Sequence, residues 1–319
     1  MRVEASDYLL QGVSGSGRER SGSLLRVSWG DGAVGFADLH TWPEVGQPSV
    51  HELLQQQSGK LWDLALQASR RDAKARATKA ALPRSARQHR LWMSTWDLSV
   101  GRLIQTRRDG FGAIKLKLDA GDLPAEARRL AALVGWWGDE LRLRLDLNSR
   151  GEPDALARFL WSLPCRLREL IDYIEDPFPF AAASWQSFAA CEGVSLAWDQ
   201  PTLAKSSDSI EEAEVAAREQ AFVRIWKPLW ESEPIDPWQR VVVTSSLGHP
   251  LGSLWAASEA TRKAPAEIHG CASHLVYKAL PGFEVRMCGD RLAEPERGTS
   301  GLGFEASLAR LVWREVASS

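Results

Sequence analysis

Cysteine is scarce in this chain of 319 residues: only Cys165, Cys191, Cys271 and Cys288 occur, and no two stand in a CxxC or zinc-ligand spacing. That excludes a disulfide framework and a cysteine-rich zinc centre, and the four read as small apolar residues. No apolar run reaches the roughly 18 residues of a membrane span, so no helical crossing is expected. The start, MRVEASDYLL, lacks the basic-then-apolar pattern of an export signal, and the expected location is the cytoplasm. An excess of one charge is missing too. The 39 Lys and Arg against 41 Asp and Glu leave −2, which recruits neither nucleic acid nor an acidic lipid surface. The segment GSGRERSG lacks the GxGxxG spacing of a phosphate cradle and no helix follows it, so it reads as a lid-like loop.

What is present is a 44% apolar composition, enough for a full core, in a length that suits two domains of about 150 residues each. Fifteen tryptophans are accounted for as core and pocket-wall residues. Up to about residue 48 the runs are short, β-rich and separated by glycine, with Asp31-Gly32 as a hairpin turn, which predicts a small antiparallel sheet. From His51 to about Ala81 the pattern turns helical and is closed by Pro83. The run SRRDAKARATKAALPRSARQHR is rich in cations, but its helical spacing and lack of an aromatic stacking partner point to a solvated helix face.

Strands then alternate with helices. Strands are predicted near 89–94, 112–118, 141–147, 171–175, 194–199, 221–226, 240–245 and 274–277, although 84–110 is short for a first strand plus helix. Helices fit between them, as in DLPAEARRLAALVGWW, with an Asp cap and an early proline, and SDSIEEAEVAAREQ. Eight strands with intervening helices are the pattern of a closed (β/α) barrel; periodicity alone leaves an open doubly wound sheet as the alternative.

Five charged residues close successive strand runs: Lys117 in IKLKLD, Asp146 in LRLRLDLN, Glu175 in YIEDPF, Asp199 in LAWDQP and Lys227 in VRIWKP. Their intervals of 29, 29, 24 and 28 residues each fit one strand, one helix and two loops. Alternation puts Lys115 and Lys117 on one strand face, and Arg142, Arg144, Asp146 and Asn148 on one face of the next. The apolar faces pack beneath helices, so the charged faces line the barrel interior, and Arg142 reads as a paired residue at its floor. Charges there are costly unless paired or metal-bound, which places the chemistry at the C-terminal strand ends. Carboxylates of Asp146, Glu175 and Asp199, with no His or Cys beside them, suit a hard cation such as Mg²⁺, with Mn²⁺ as a substitute occupant. A lysine beside such a cation is disfavoured in its charged form and can serve as a base, so the implied reaction is proton abstraction next to a carboxylate.

In these motifs, KxK at Lys115 and Lys117, DxN at Asp146 and Asn148, EDP from Glu175, Asp199 and KP at Lys227, in that order, the chain resembles the enolase superfamily, and within it the o-succinylbenzoate synthases. The resemblance covers nearly the whole chain. It implies an α/β fold, a modified (β/α)₇β TIM-type barrel over 86–300 with an α+β capping domain over 1–85 and a segment 301–319 returning toward it. It further implies that Lys117 is the base, that Lys227 stabilises an enediolate from the other side, and that Lys115 neutralises the substrate carboxylate. Asp146, Glu175 and Asp199 would hold the metal and Asn148 would back them. Arg144 would favour a synthase over its relatives. His40 and Trp42 in GFADLHTWPEVG, and Ser245, Ser246 and His249 in TSSLGHPLG, would line the substrate pocket. His249, His274 and Trp42 remain open between pocket contacts and structural roles. Gln200 departs from the Glu or Asn that many related enzymes carry after the third ligand. The partner implied is a small-molecule substrate, without a reading of the oligomeric state. A racemase of N-acylamino acids or a dipeptide epimerase is the alternative, lowered by the absence of DxD from HGCASHLVY.

Overall fold

The computed structural model describes residues 1–13, 19–199, 215, 217, 222–234 and 240–316. Two compact units are formed, one from Met1–Arg87, Trp226–Glu233 and Val243–Ser319, the other from Gln88–Ile225 and Pro234–Val242.

The first unit is built on an antiparallel sheet of β1 (Arg2–Gln11), β2 (Glu19–Ser28) and β3 (Val34–Leu39), with a terminal strand, Arg314–Val316, added beside β1. The β1–β2 register runs unbroken from Arg2 opposite Ser28 to Gln11 opposite Glu19. Glu19–Gly22, expected in a loop, therefore belong to β2, because the ladder extends past the apolar run; residues 15–18 of that expectation lie outside the described residues. Asp31-Gly32 makes the expected turn: the Gly32 N–H donates to the Trp29 carbonyl, and Gly32 has φ +80°. Helix α1 (Val50–Gln56) begins with a reciprocal Ser49–Glu52 capping box. Helix α2 (Lys60–Ala77) buries Trp62, Ala65, Ala68 and Ala73. A Cβ at Gly35 of β3 would run into the Ser69 carbonyl of α2, so glycine permits this close helix-on-sheet approach.

Cations of α2 are taken up by acids of the same unit. Arg70 pairs with Asp31 at 2.7 Å, Arg71 with Glu259, and Arg76 Nε with Asp72 at 2.6 Å. Asp72 is wholly buried and also accepts from the Phe36 N–H at 2.9 Å and the Leu302 N–H at 2.7 Å. One carboxylate thus ties α2, β3 and the segment before the last strand. Asp72→Ala leaves two buried N–H groups and a guanidinium without this acceptor, and is expected to lower the unfolding free energy by about 3–5 kcal/mol. Urea denaturation followed by tryptophan fluorescence measures it; a loss below about 1 kcal/mol would show that the tie is dispensable.

A parallel sheet is formed by β4 (Arg90–Trp92), β5 (Ala113–Lys117), β6 (Arg142–Asp146), β7 (Ile171–Glu175), β8 (Leu196–Trp198), β9 (Val223–Trp226) and β10 (Val241–Val243), paired in sequence order. Between them come α3 (Val100–Arg108), α4 (Leu123–Leu133), α5 (Pro153–Ser162), α6 (Cys165–Glu169) and α7 (Ala182–Glu192). The short segment 84–110 does accommodate a strand and a helix, since β4 spans three residues. Asp122 caps α4 by accepting from the Ala125 N–H at 3.1 Å, with Pro124 in the first turn. The helix expected over 207–220 falls almost wholly outside the described residues, as does Gln200. In β5 and β6, Ile114, Leu116, Leu143 and Leu145 are fully buried, as alternation requires.

Two expectations fail. Residues 274–277 are not a strand: Ser273–Val276 form a 3₁₀ helix. The parallel pattern is extended instead by Thr244 bridging Gly270, after a two-residue strand at Ile268–His269. Arg142, expected as a paired residue at the barrel floor, is exposed, because it is the first residue of β6, where the strand begins at solvent.

Candidate active site

Parallel pairing aligns the charged ends of three strands. Lys117 of β5 stands opposite Asp146 of β6, and Asp146 opposite Glu175 of β7. Glu175 pairs in turn with Ala197 of β8, and Asp199 follows two residues later. One row toward the strand starts, Lys115, Arg144 and Tyr173 are aligned in the same way. The register alone therefore puts one ammonium and two carboxylates side by side at the C-terminal edge.

The side chains close this arrangement. Asp146 Oδ2 lies 3.0 Å from Lys115 Nζ and 3.1 Å from Lys117 Nζ, and Lys115 Nζ also pairs with Glu175 Oε1. Lys117 donates to Asn148 Oδ1 at 3.0 Å, while Asn148 donates through both its backbone N–H and its amide to Asp146 Oδ1. Burial opposes the charged form of Lys115, but Asp146 and Glu175 outweigh it and hold its ammonium well above the ordinary lysine range. Burial likewise pushes the Asp146 carboxyl up, and the two lysines override it and bring it down.

A fourth acid was not anticipated. Asp176, the Asp of EDP, is buried, and its Oδ1 accepts the Asp199 N–H at 3.1 Å. Burial, and then the negative charges of Asp199, Glu175 and Asp146, push its carboxyl far above the usual range. Asn148, Ser149 and Asp176 all have positive φ, between 42° and 59°, so the chain is turned tightly at two adjacent strand ends. The Ser149 N–H donates to the Asp176 carbonyl at 2.7 Å and joins the two turns.

The donor chemistry, carboxylates at neighbouring strand ends with Asp146 and Glu175 buried, fits a hard divalent cation. Its spacing is set by ion pairs through Lys115, and among the described residues no three His, Cys, Asp or Glu groups stand at ion-holding distances. Arg144, expected at the substrate, is wholly buried in the lower row. It donates to Asp172 Oδ2 at 2.7 Å, meets His89 Nδ1 at 3.0 Å and lies over the Tyr173 ring.

The remaining expected residues belong to the first unit. Lys227 follows β9, with Nζ 5.6 Å from the centre of the Trp230 ring. Trp42 meets Trp230 edge-on and lies under the Arg20 guanidinium. His40 and His249 are both buried; Ser245 donates to Ser273 Oγ at 2.6 Å, and Ser246 is buried beside it. His249 caps α8 (Pro250–Lys263), its Nδ1 accepting from the Leu251 N–H at 3.1 Å. His274 is half-buried on the 3₁₀ helix.

Solved structures share this architecture. A mandelate racemase/muconate lactonizing protein from Herpetosiphon aurantiacus superposes with a TM-score of 0.75 at 14% identity, over 94% of this chain and 96% of that one. The dipeptide epimerase of Enterococcus faecalis V583, complexed with Mg and L-Leu-L-Tyr, gives 0.73 at 11% identity, over 95% and 98%. The fold is thus α/β, a modified (β/α)₇β TIM-type barrel with an N-terminal α+β capping domain. In sequence the chain resembles the o-succinylbenzoate synthases, enzymes of the carbon–oxygen lyase class. Residues 6–75 match the O-succinylbenzoate synthase N-terminal domain family. The o-succinylbenzoate synthase of Bdellovibrio bacteriovorus is 29% identical over 99% of both chains. No helix among the described residues is long and apolar enough to cross a membrane.

Proposed function

We propose that this protein is a Mg²⁺-dependent o-succinylbenzoate synthase, dehydrating 2-succinyl-6-hydroxy-2,4-cyclohexadiene-1-carboxylate to 2-succinylbenzoate in menaquinone biosynthesis. The observation that carries the reading is the aligned row of Lys117, Asp146 and Glu175 at three consecutive strand ends, with Asn148 bonded to both Lys117 and Asp146. Lys117 takes the proton from the ring carbon bearing the carboxylate, and the C–H electrons become an enediolate. The same ammonium returns that proton to the departing hydroxyl, so one water leaves and the ring becomes aromatic. Lys115 neutralises the substrate carboxylate. Lys227 is the second cation, stabilising the enediolate and then the aromatic ring. Arg144 acts from the row below, where its ion pair with Asp172 fixes it. Asp146, Glu175 and Asp199 would hold Mg²⁺, or Mn²⁺ in its place, with Asn148 backing Asp146. Bound there, the cation would supply charge that acidifies the carbon next to the carboxylate. Ser245, Ser246, His249, His40 and Trp42 are the proposed contacts to the rest of the substrate, and the cytoplasm is the proposed location.

Ultraviolet absorbance of the cyclohexadiene tests the reading. The diene signal is expected to vanish with protein and Mg²⁺. Turnover should fall more than about 100-fold on chelation and return when Mg²⁺ is restored. A folded protein that leaves the diene untouched in Mg²⁺ would overturn the assignment, and exchange of N-acylamino acids in D₂O would then be measured.

A further inference from the structure

Outside the catalytic row, the first unit contains a polar chain in which Tyr8 and Asp38 have no role in the proposed mechanism. Trp42 Nε1–H donates to His40 Nε2 at 3.1 Å, which leaves His40 Nδ1, 3.2 Å from the Tyr8 hydroxyl, as the ring's N–H. Tyr8 donates to Asp38 Oδ1 at 2.7 Å. The Asp38 Oδ2 accepts the His249 N–H at 2.9 Å. Asp38 is 1% exposed, His40 2% and His249 1%, while Tyr8 and Trp42 are half-buried, so the Asp38–His249 bond is shielded from competition by water. The Trp230 indole also donates to the His40 carbonyl at 2.9 Å.

Glycines admit the carboxylate. A Cβ at either Gly248 or Gly252 would run into Asp38 Oδ2. Gly252 lies within the first turn of α8, and glycine is a poorer helix former than alanine. Helix stability is thus given up where the carboxylate must enter. Asp38, His40 and Trp42 alternate along one stretch of chain, while Ser245, Ser246 and His249 lead into α8. The chain of bonds joins these two sets of proposed substrate contacts.

We propose that Tyr8 and Asp38 are positioning residues: through Asp38 they lock the His40–Trp42 segment and the Ser245–His249 segment in one register, which sets recognition of the non-reacting part of the substrate. The proposal rests on the synthase reading for its substrate. It predicts a selective loss of binding, since neither side chain belongs to the catalytic row.

Tyr8→Phe removes the hydroxyl and keeps the ring, whose centre lies 4.9 Å from that of His249. Steady-state kinetics and amide hydrogen exchange are measured on the parent, Tyr8→Phe and Asp38→Asn, with circular dichroism as the check on folding. In both variants KM for the cyclohexadiene is expected to rise about 10-fold with kcat within threefold, and the His249 amide to exchange at least 10-fold faster. Parent-like KM and parent-like exchange in a folded Tyr8→Phe would overturn the proposal. So would a fall in kcat with KM unchanged. If Asp38→Asn does not fold, Tyr8→Phe alone carries the test. A parent without turnover defeats the synthase reading separately, and the His249 exchange rate then decides the positioning role by itself.

Discussion

Turnover of the cyclohexadiene by Lys117→Ala is expected to fall about 10³-fold or more, with the circular dichroism spectrum unchanged. Two lysines share the Asp146 carboxylate, and their surroundings separate their roles. Lys115 is 9% exposed in its side chain and held between Asp146 and Glu175. Lys117 is 20% exposed, with one contact to Asp146 and one to the neutral amide of Asn148. Moving the Lys115 proton would strip a buried ion-pair network of its central charge, whereas Lys117 stands at the open end of the row. Removing Lys117 leaves Asp146 still paired with Lys115, so the fold should survive. Lys117→Arg separates charge from proton transfer: a guanidinium keeps the cation but does not give up its proton at neutral pH, so activity should stay near the alanine level. Parent-like turnover by Lys117→Arg would show that position 117 supplies charge alone, and the base would have to be sought elsewhere.

The row itself was legible because strand alternation and strand length fix both the face and the end of IKLKLD and LRLRLD; parallel pairing then leaves little choice of register. Asp31-Gly32 and the Asp122 cap were legible for a local reason, each being decided within four residues. The eighth strand was not. Among the described residues the parallel pattern continues only as a single Thr244–Gly270 bridge, with Ile268–His269 in a separate sheet, too little to show alternation, while the apolar SHLVY run that imitates a strand forms a 3₁₀ turn. Arg142 shares its face with Arg144, but alternation does not say how far along a strand burial begins. Asp176 stands in the EDP motif beside Glu175, and that position is its sequence signal. Asp38 was missed because its partner His249 lies 211 residues away. Its sequence signal was the alternation of Asp38, His40 and Trp42, three polar or amphipathic residues facing one way out of a β-rich run.

The same buried cluster should govern stability in acid, with opposite signs for its members. Burial, reinforced by Arg20 and partly offset by Glu44, lowers His40 from 6.5 to about 4; burial and the neighbouring His40 lower His249 to about 3. Each imidazole therefore contributes stability in full above 6.5, and loses it as pH falls toward the folded value, because the unfolded chain takes up a proton that the folded one refuses. Between pH 7 and pH 4 this removes about 3 kcal/mol per histidine, at about 1.4 kcal/mol per unit. Asp38 works the other way. Burial, against the Tyr8 and His249 donors, raises it from 3.8 to about 7, so its contribution is complete below 3.8 and lost as pH rises through 7. Acidification to pH 4 returns about 3 kcal/mol from this group, nearly cancelling one histidine. Urea unfolding at pH 7 and pH 4 separates the two. His249→Asn, which keeps an acceptor suited to capping α8, should lose about 3 kcal/mol less than the parent over this interval. Asp38→Asn should lose about 3 kcal/mol more, and its steeper acid sensitivity would identify Asp38 as the group that lets two buried neutral histidines sit side by side. Parallel pH dependences in parent and both variants would mean that the cluster titrates in the folded state as it does in the unfolded chain.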